Sequence, residues 1–208
     1  MSQQPPATDT TLTHLNDTLR RVVQQVRVTQ APEATLREAE ALLARAEGLL
    51  APHAHPGPYA QAGFEQTRLM QPGPGADPME FFPYSPVIGK HNPVAPPLHF
   101  RVEGGEIHAE GSMGPAYNGP PGAVHGGMVA LVLDELLGCV TVVNDRGGYT
   151  GTLTIRYLRP TPVGQPLSMR AEIVREEGRK TWARGEIRAG EVKTAEAEGL
   201  FIRPRPEG

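Results

Sequence analysis

Asn118–Val143 reads NGPPGAVHGGMVALVLDELLGCVTVV. It begins as a Gly/Pro loop, passes through one histidine and two glycines, and becomes the most apolar run in the chain. From Met128 to Val143 only Asp134, Glu135 and Thr141 interrupt Met, Val, Ala, Leu, Cys and one Gly. Sixteen residues fall short of the roughly 20 that a bilayer-spanning helix needs. A helix apolar nearly all round is a buried one, and a carboxylate in such surroundings is costly unless paired or used. The stretch therefore predicts a core helix that carries a functional acid.

The sequence C-terminal to this helix predicts its partner. Four alternating runs occur there: Thr150–Arg159, Leu167–Arg175, Thr181–Arg188 and Glu191–Ile202. In the second, Leu167, Met169, Ala171 and Ile173 oppose Ser168, Arg170 and Glu172; in the last, Ala195, Ala197, Gly199 and Phe201 oppose Thr194, Glu196 and Glu198. Alternation with mixed charge on one side describes an antiparallel sheet with one wet face. Upstream, Leu98–Glu103 and Glu106–Met113 flank Gly104-Gly105, a two-residue hairpin signal. The inward faces of the last two strands are small, so a helix can come close. These patterns predict an α+β fold, with five to six antiparallel strands curled around one long apolar helix.

Before this domain the composition shifts. Residues 1–52 carry two amphipathic patterns, with Leu12, Leu15, Leu19, Val22, Val23 and Val26 on the first and Leu36, Ala39, Leu42, Leu43, Ala46, Leu49 and Leu50 on the second. Pro32 opens the second and Pro52 ends it. They predict an αα-hairpin that packs on the main domain, a second subunit or a partner. Residues 53–78 are a Pro/Gly-rich linker, and 79–205 form the main domain. Phe81, Phe82, Tyr84, Val87 and Ile88 predict that its first segment lies across the domain surface.

The net charge of −3, with 20 basic and 23 acidic residues interspersed, points to neither a nucleic-acid nor a membrane partner. The lone Cys139 reads as a buried small hydrophobe. The N-terminus has no basic start followed by an apolar run, so the expected location is cytoplasmic.

Two features suggest chemistry. His125-Gly126-Gly127 sits where loop becomes helix, leaving unhindered backbone N–H groups suited to a carbonyl oxygen gaining negative charge. Asp134, nine residues after His125, is the buried acid, able to serve as general base toward water or as nucleophile. Glu135 points about 100° away, toward a structural or subunit contact. At ~1.5 Å rise per residue Gly127 and Asp134 lie roughly 10 Å apart on one helix, whereas a base works within ~3 Å of its target. Two antiparallel helices about a two-fold axis resolve the mismatch, so a homodimer is expected.

The combination resembles the hotdog-fold acyl-CoA thioesterases, in the phenylacetate-pathway branch of the 4-hydroxybenzoyl-CoA thioesterase superfamily. GPPGAVHGGMVALVLDELLG (Gly119–Gly138), TLTIRYLRPTPVG (Thr152–Gly164) and NPVAPPL (Asn92–Leu98) carry the likeness, over about residues 79–203. It implies hydrolysis of an acyl-CoA thioester, with Asp134 as catalytic carboxylate. Gly126 and Gly127 would polarise the carbonyl, and His125 would orient the thioester. No metal or organic cofactor is implied, CoA being part of the substrate, and a dimer of dimers is compatible with the likeness. Members often carry an Asn six residues before the histidine; here that position is Gly119, with Asn118 one residue earlier. Thr150 stands where a water-positioning hydroxyl is common, but strand parity groups it with Thr152 and Thr154, away from Leu153 and Ile155, unless Gly151 breaks the alternation. Arg156 and Arg159 are candidates for the CoA phosphates. Two other readings share the fold: a non-catalytic acyl-CoA sensor or scaffold, and a hydratase or dehydratase.

Overall fold

A computed structural model describes residues 9–54 and 77–205. Two helices lead, α1 (Asp9–Val28) and α2 (Glu33–Leu50), followed by a 3-10 turn at Ala51–His53 around Pro52. One helical turn at Pro78–Phe81 precedes β1 (Leu98–Glu103) and β2 (Glu106–Gly111). The core helix α3 (Gly126–Val143) comes next, then β3 (Tyr149–Tyr157), β4 (Leu167–Glu177), β5 (Lys180–Ala189) and β6 (Val192–Ile202). The six strands form one antiparallel sheet in the order β1-β2-β4-β5-β6-β3. This is the expected α+β hotdog arrangement. Between β2 and its neighbour β4 the chain makes α3 and carries β3 to the far edge.

The hairpin signal holds in detail. Gly104 and Gly105 have φ of 59° and 85°, and Glu103 pairs with Glu106 across them. Two consecutive positive φ values are what a twist-matched two-residue turn requires. The core forms where α3 lies on the sheet: Val132, Leu133, Leu136, Leu137 and Val140 have no exposed surface. By length and composition α3 would pass as a membrane span, but 56% of it is buried inside the fold, as in the core helix of a sheet protein.

The small inward residues explain how close the helix comes. A Cβ on Gly199 would stand 3.1 Å from Leu137 Cδ1, and one on Gly185 would stand 3.2 Å from Leu137 Cδ2. Leu137 thus occupies space that side chains on β5 and β6 would claim. Thr194 departs from the alternation. It is buried at 1%, donating to the Ile187 carbonyl at 3.2 Å and bonded to the Thr161 hydroxyl at 2.9 Å. Outside, the sheet carries ion pairs such as Arg184–Glu172 at 2.8 Å and Lys193–Glu186 at 2.7 Å.

Two expectations about the first 97 residues change. The segment before β1 does not merely cross the surface: Val87 and Ile88 are 0% and 1% exposed and belong to the core. The leading helices also dock differently from their apolar stripes. On α1 the stripe residues Leu12, Leu15, Leu19 and Val22 are half-buried and Val23 and Val26 exposed, while Asn16 is buried and Arg20 and Gln24 reach into the domain. α2 buries none of its residues and leaves Leu36, Leu42, Leu43, Leu49 and Leu50 exposed. Residues 55–76, most of the proposed linker, lie outside the described residues.

Adding a side chain at Gly199, whose Cβ would meet the Phe201 ring at 2.8 Å and Leu137 at 3.1 Å, should be costly. Gly199→Val is expected to lower stability by about 1–3 kcal/mol, the usual cost of overpacking. The urea midpoint should fall with an unchanged dependence on denaturant.

Candidate active site

The loop before α3 is built to deliver His125. Asn118 and Val124 form an isolated bridge, the Gly119 N–H donates to the Ala123 carbonyl at 2.9 Å, and the His125 N–H donates to the Tyr117 carbonyl at 2.9 Å. His125 is the N-cap, and its Nδ1 accepts the Gly127 N–H at 2.9 Å. A helix leaves its first N–H groups without internal partners. Of the two glycine donors singled out from the sequence, Gly127 is therefore engaged by the cap. The Gly126 N–H makes no hydrogen bond among the described residues. The free donor is one residue earlier than the spacing argument assumed.

Tyr157, which no sequence signal marked, flanks the same point. Its hydroxyl donates to the Gly126 carbonyl at 3.0 Å, and its ring would lie 3.7 Å from a Cβ on Gly126.

Asp134 is half-buried and accepts a hydrogen bond from the Thr150 hydroxyl at 3.0 Å. This contact needs a break in strand alternation, and Gly151 supplies it. On β6, Phe201 pairs with Thr150, Leu200 with Thr152 and Gly199 with Leu153, so Gly151 is the extra residue of a bulge. Thr150 thereby joins Leu153 and Ile155 on the face turned to α3. One carboxylate oxygen is occupied, and the other makes no hydrogen bond among the described residues.

Glu135, beside it, has a different setting. Its Oε1 accepts from the Ser85 hydroxyl at 2.9 Å, and Ser85 Oγ also accepts from the Val87 and Ile88 N–H groups. Glu135 thus pins the pre-β1 segment to the helix. Its carboxyl is held above the usual glutamate range, mainly by burial; the Ser85 hydroxyl partly offsets this and the Asp134 charge adds to it. Burial, with the Glu135 charge adding, raises the Cys139 thiol well above its ordinary range, consistent with a core residue.

Other candidates are placed elsewhere. The Asn118 amide donates to the carbonyls of Gly119 at 2.7 Å and Pro120 at 3.3 Å, closing its own loop. An Asn at position 119 has no room, because a Cβ there would sit 2.7 Å from His125 Cα. Arg156 lies on the sheet. It pairs with Glu196 at 2.9 Å, and strand alternation turns it to the outer face while Ile155 faces α3. Arg159 is exposed just beyond Tyr157. No group of three or more metal-ligating side chains occurs among the described residues.

Comparison with known proteins agrees with this fold. A solved structure described as a thioesterase superfamily protein is 31% identical, covering 96% of this chain and 93% of that one with a TM-score of 0.76. The chain belongs to the thioesterase superfamily. The model of that superfamily matches residues 121–196, from the Gly/Pro loop into β6. Among curated proteins it is similar to acyl-coenzyme A thioesterase THEM4 of Xenopus laevis, 35% identical over 95 residues, which are 45% of this chain and 43% of that protein. THEM4 of Bos taurus is 37% identical over 98 residues, 45% of this chain and 39% of that protein. The chain thus spans about two fifths of the length of these curated relatives.

The Glu135 setting has a signed consequence. Its proton is held more tightly in the folded than in the unfolded chain, so stability falls as pH rises from the ordinary glutamate range through the raised folded value. Glu135→Gln keeps an acceptor for Ser85 and has no proton to lose. Its unfolding free energy should be flatter over that range, and urea titrations at stepped pH would show wild type losing stability relative to it.

Proposed function

We propose that the protein hydrolyses an acyl-CoA thioester to a carboxylic acid and CoA. The observation that carries this reading is the Asp134–Thr150 hydrogen bond of 3.0 Å, made across a bulge that turns Thr150 inward. It leaves an oriented carboxylate with one open oxygen. The Gly126 N–H at the helix start is the matching donor for the thioester oxygen, and acyl-CoA thioesterase is the activity for which the THEM4 relatives are named.

In one route Asp134 takes a proton from water as its oxygen bonds to the carbonyl carbon. The oxyanion rests on the Gly126 N–H, the C–S bond then breaks, and the CoA thiolate takes up the proton. In the other, Asp134 itself bonds to the carbon and expels CoA thiolate, leaving a mixed anhydride that water cleaves. Single turnover in H₂¹⁸O separates them when water opens the anhydride at the Asp134 carbonyl: the label then enters Asp134 and the acid leaves unlabelled, whereas the general-base route puts the label in the acid. Neither route calls on a metal or an organic cofactor. Arg159 is the cation proposed to meet the CoA phosphates at the mouth.

The two halves of the site come from two subunits. Gly126 and Asp134 are about 12 Å apart along α3, too far to act on one carbon. What supports a two-fold pairing is the uncovered stripe of α3: Gly127, Leu131, Asp134 and Gly138 recur at four- and three-residue spacing and are all partly or largely exposed. Small residues at both ends permit close approach of a second, antiparallel α3. The edge strand β3 beside it leaves Tyr149 and Tyr157 73% and 56% exposed and offers its unpaired side to a second copy.

The first test is thiol release from short, long and aromatic acyl-CoAs. Asp134→Ala and Asp134→Asn should lose at least about a hundredfold in kcat, the scale of a positioned base. Undiminished turnover in these folded variants would exclude the mechanism, and acyl-CoA binding without turnover in wild type would favour a sensor.

The second test addresses subunit sharing. Proline fits the first position of a helix, so Gly126→Pro removes the donor while keeping α3. Each of Gly126→Pro and Asp134→Asn should be inactive alone. Unfolded and refolded together, they should regain about a quarter of wild-type activity, since half the dimers are mixed and each mixed dimer has one intact site. No recovery in demonstrated mixed dimers would place both groups in one subunit's site.

A further inference from the structure

We infer that α1 is a clamp on the loop that presents His125 and Gly126, with Gln24 and Arg20 as positioning residues for the hydrolysis. This rests on the thioesterase reading above.

Gln24 Oε1 accepts the Ala116 N–H at 3.0 Å. The fit is close on the loop side: a Cβ on Gly114 would stand 2.5 Å from that oxygen. Ala116 lies in the 3-10 turn Pro115–Tyr117, and the Tyr117 carbonyl receives the His125 N–H. The His125 carbonyl in turn receives the N–H groups of Met128 and Val129, at 2.9 and 3.1 Å. An unbroken series of directional contacts therefore runs from α1 to the start of α3.

Arg20, one turn earlier on the same helix face, holds the other segment beside the site. Its Nη2 donates to the carbonyls of Gly89, Asn92 and Lys90 at 2.7, 2.8 and 3.1 Å, and its Nη1 pairs with Asp17 at 2.7 Å. That segment carries Ser85, the partner of Glu135 beside Asp134. With buried Asn16, these residues sit at i, i+4 and i+8, one polar face of α1. An apolar contact would hold the loop near its place. Hydrogen bonds of fixed direction set where it is, and displacement of a reacting group by about 1 Å can cost about a hundredfold in rate.

Three variants test the clamp. Gln24→Leu removes the acceptor. Gly114→Ala pushes the Gln24 amide away from the other side, at little cost to the fold because only the end of a flexible side chain must move. Gln24→Glu keeps the acceptor. The first two should lose about ten- to a hundredfold in kcat with KM little changed, with Gln24→Glu within about threefold of wild type. Hydrogen exchange at the His125 amide should quicken in the first two and not in the third. Wild-type kcat in both disrupting variants overturns the inference, as does a loss that Gln24→Glu shares in full or a loss confined to KM. If wild type cleaves no thioester, the hydrolase reading falls. His125 exchange then decides the clamp alone: quickened in Gln24→Leu and Gly114→Ala only, it stands; unchanged, it is overturned.

Discussion

Leu137 stands within 3.1–3.2 Å of where Cβ atoms on Gly199 and Gly185 would be, and much of the structure depends on that near contact. It brings the axis of α3 close to the β5 and β6 backbones, so the sheet must wrap the helix rather than lie flat beneath it. Once wrapped, the sheet covers one side of α3 and leaves another open. The open side carries Asp134 and begins at His125-Gly126-Gly127. The same packing that buries an apolar helix thus decides which of its residues can meet a substrate.

Much of this was legible because it rests on periodicity and steric rules. Alternation gave the strands, Gly104-Gly105 the hairpin, and the near-absence of charge the core helix. Asp134 stands out in the sequence as a carboxylate in an apolar run, and the structure leaves it half-buried on the helix face that the sheet does not cover. Thr150 was legible only conditionally. Parity placed it on the wrong face, and the bulge at Gly151 depends on the register of β6, about fifty residues away.

What was not legible depends on contacts between segments far apart in the chain. On α1 the apolar stripe is visible in the sequence, but the hydrogen bonds of Arg20 and Gln24 are not, because they go to backbone carbonyls and an N–H group on distant segments. Tyr157 carries no motif, and its role depends on where β3 ends beside the loop. Of the two glycine N–H groups, that of Gly127 is engaged because the His125 ring caps its own helix, a rotamer choice that spacing does not encode. Arg156 was a candidate by charge, and strand alternation turned it to Glu196 on the far face.

The position of β3 at the edge has a consequence for how the molecule comes into being. β3 precedes β4, β5 and β6 in the chain, yet among the described residues it pairs with β6, the last of them. Thr150 and Asp134 are sixteen residues apart and leave the ribosome almost together, but the register that turns Thr150 inward is set opposite Phe201. Closing so long a loop is slow compared with forming local pairs. During synthesis the apolar α3 must therefore wait for the final strand with only part of its cover in place, the kind of exposed intermediate that chaperones shield. The Asp134–Thr150 contact is thus completed last, as the final strand seals the core.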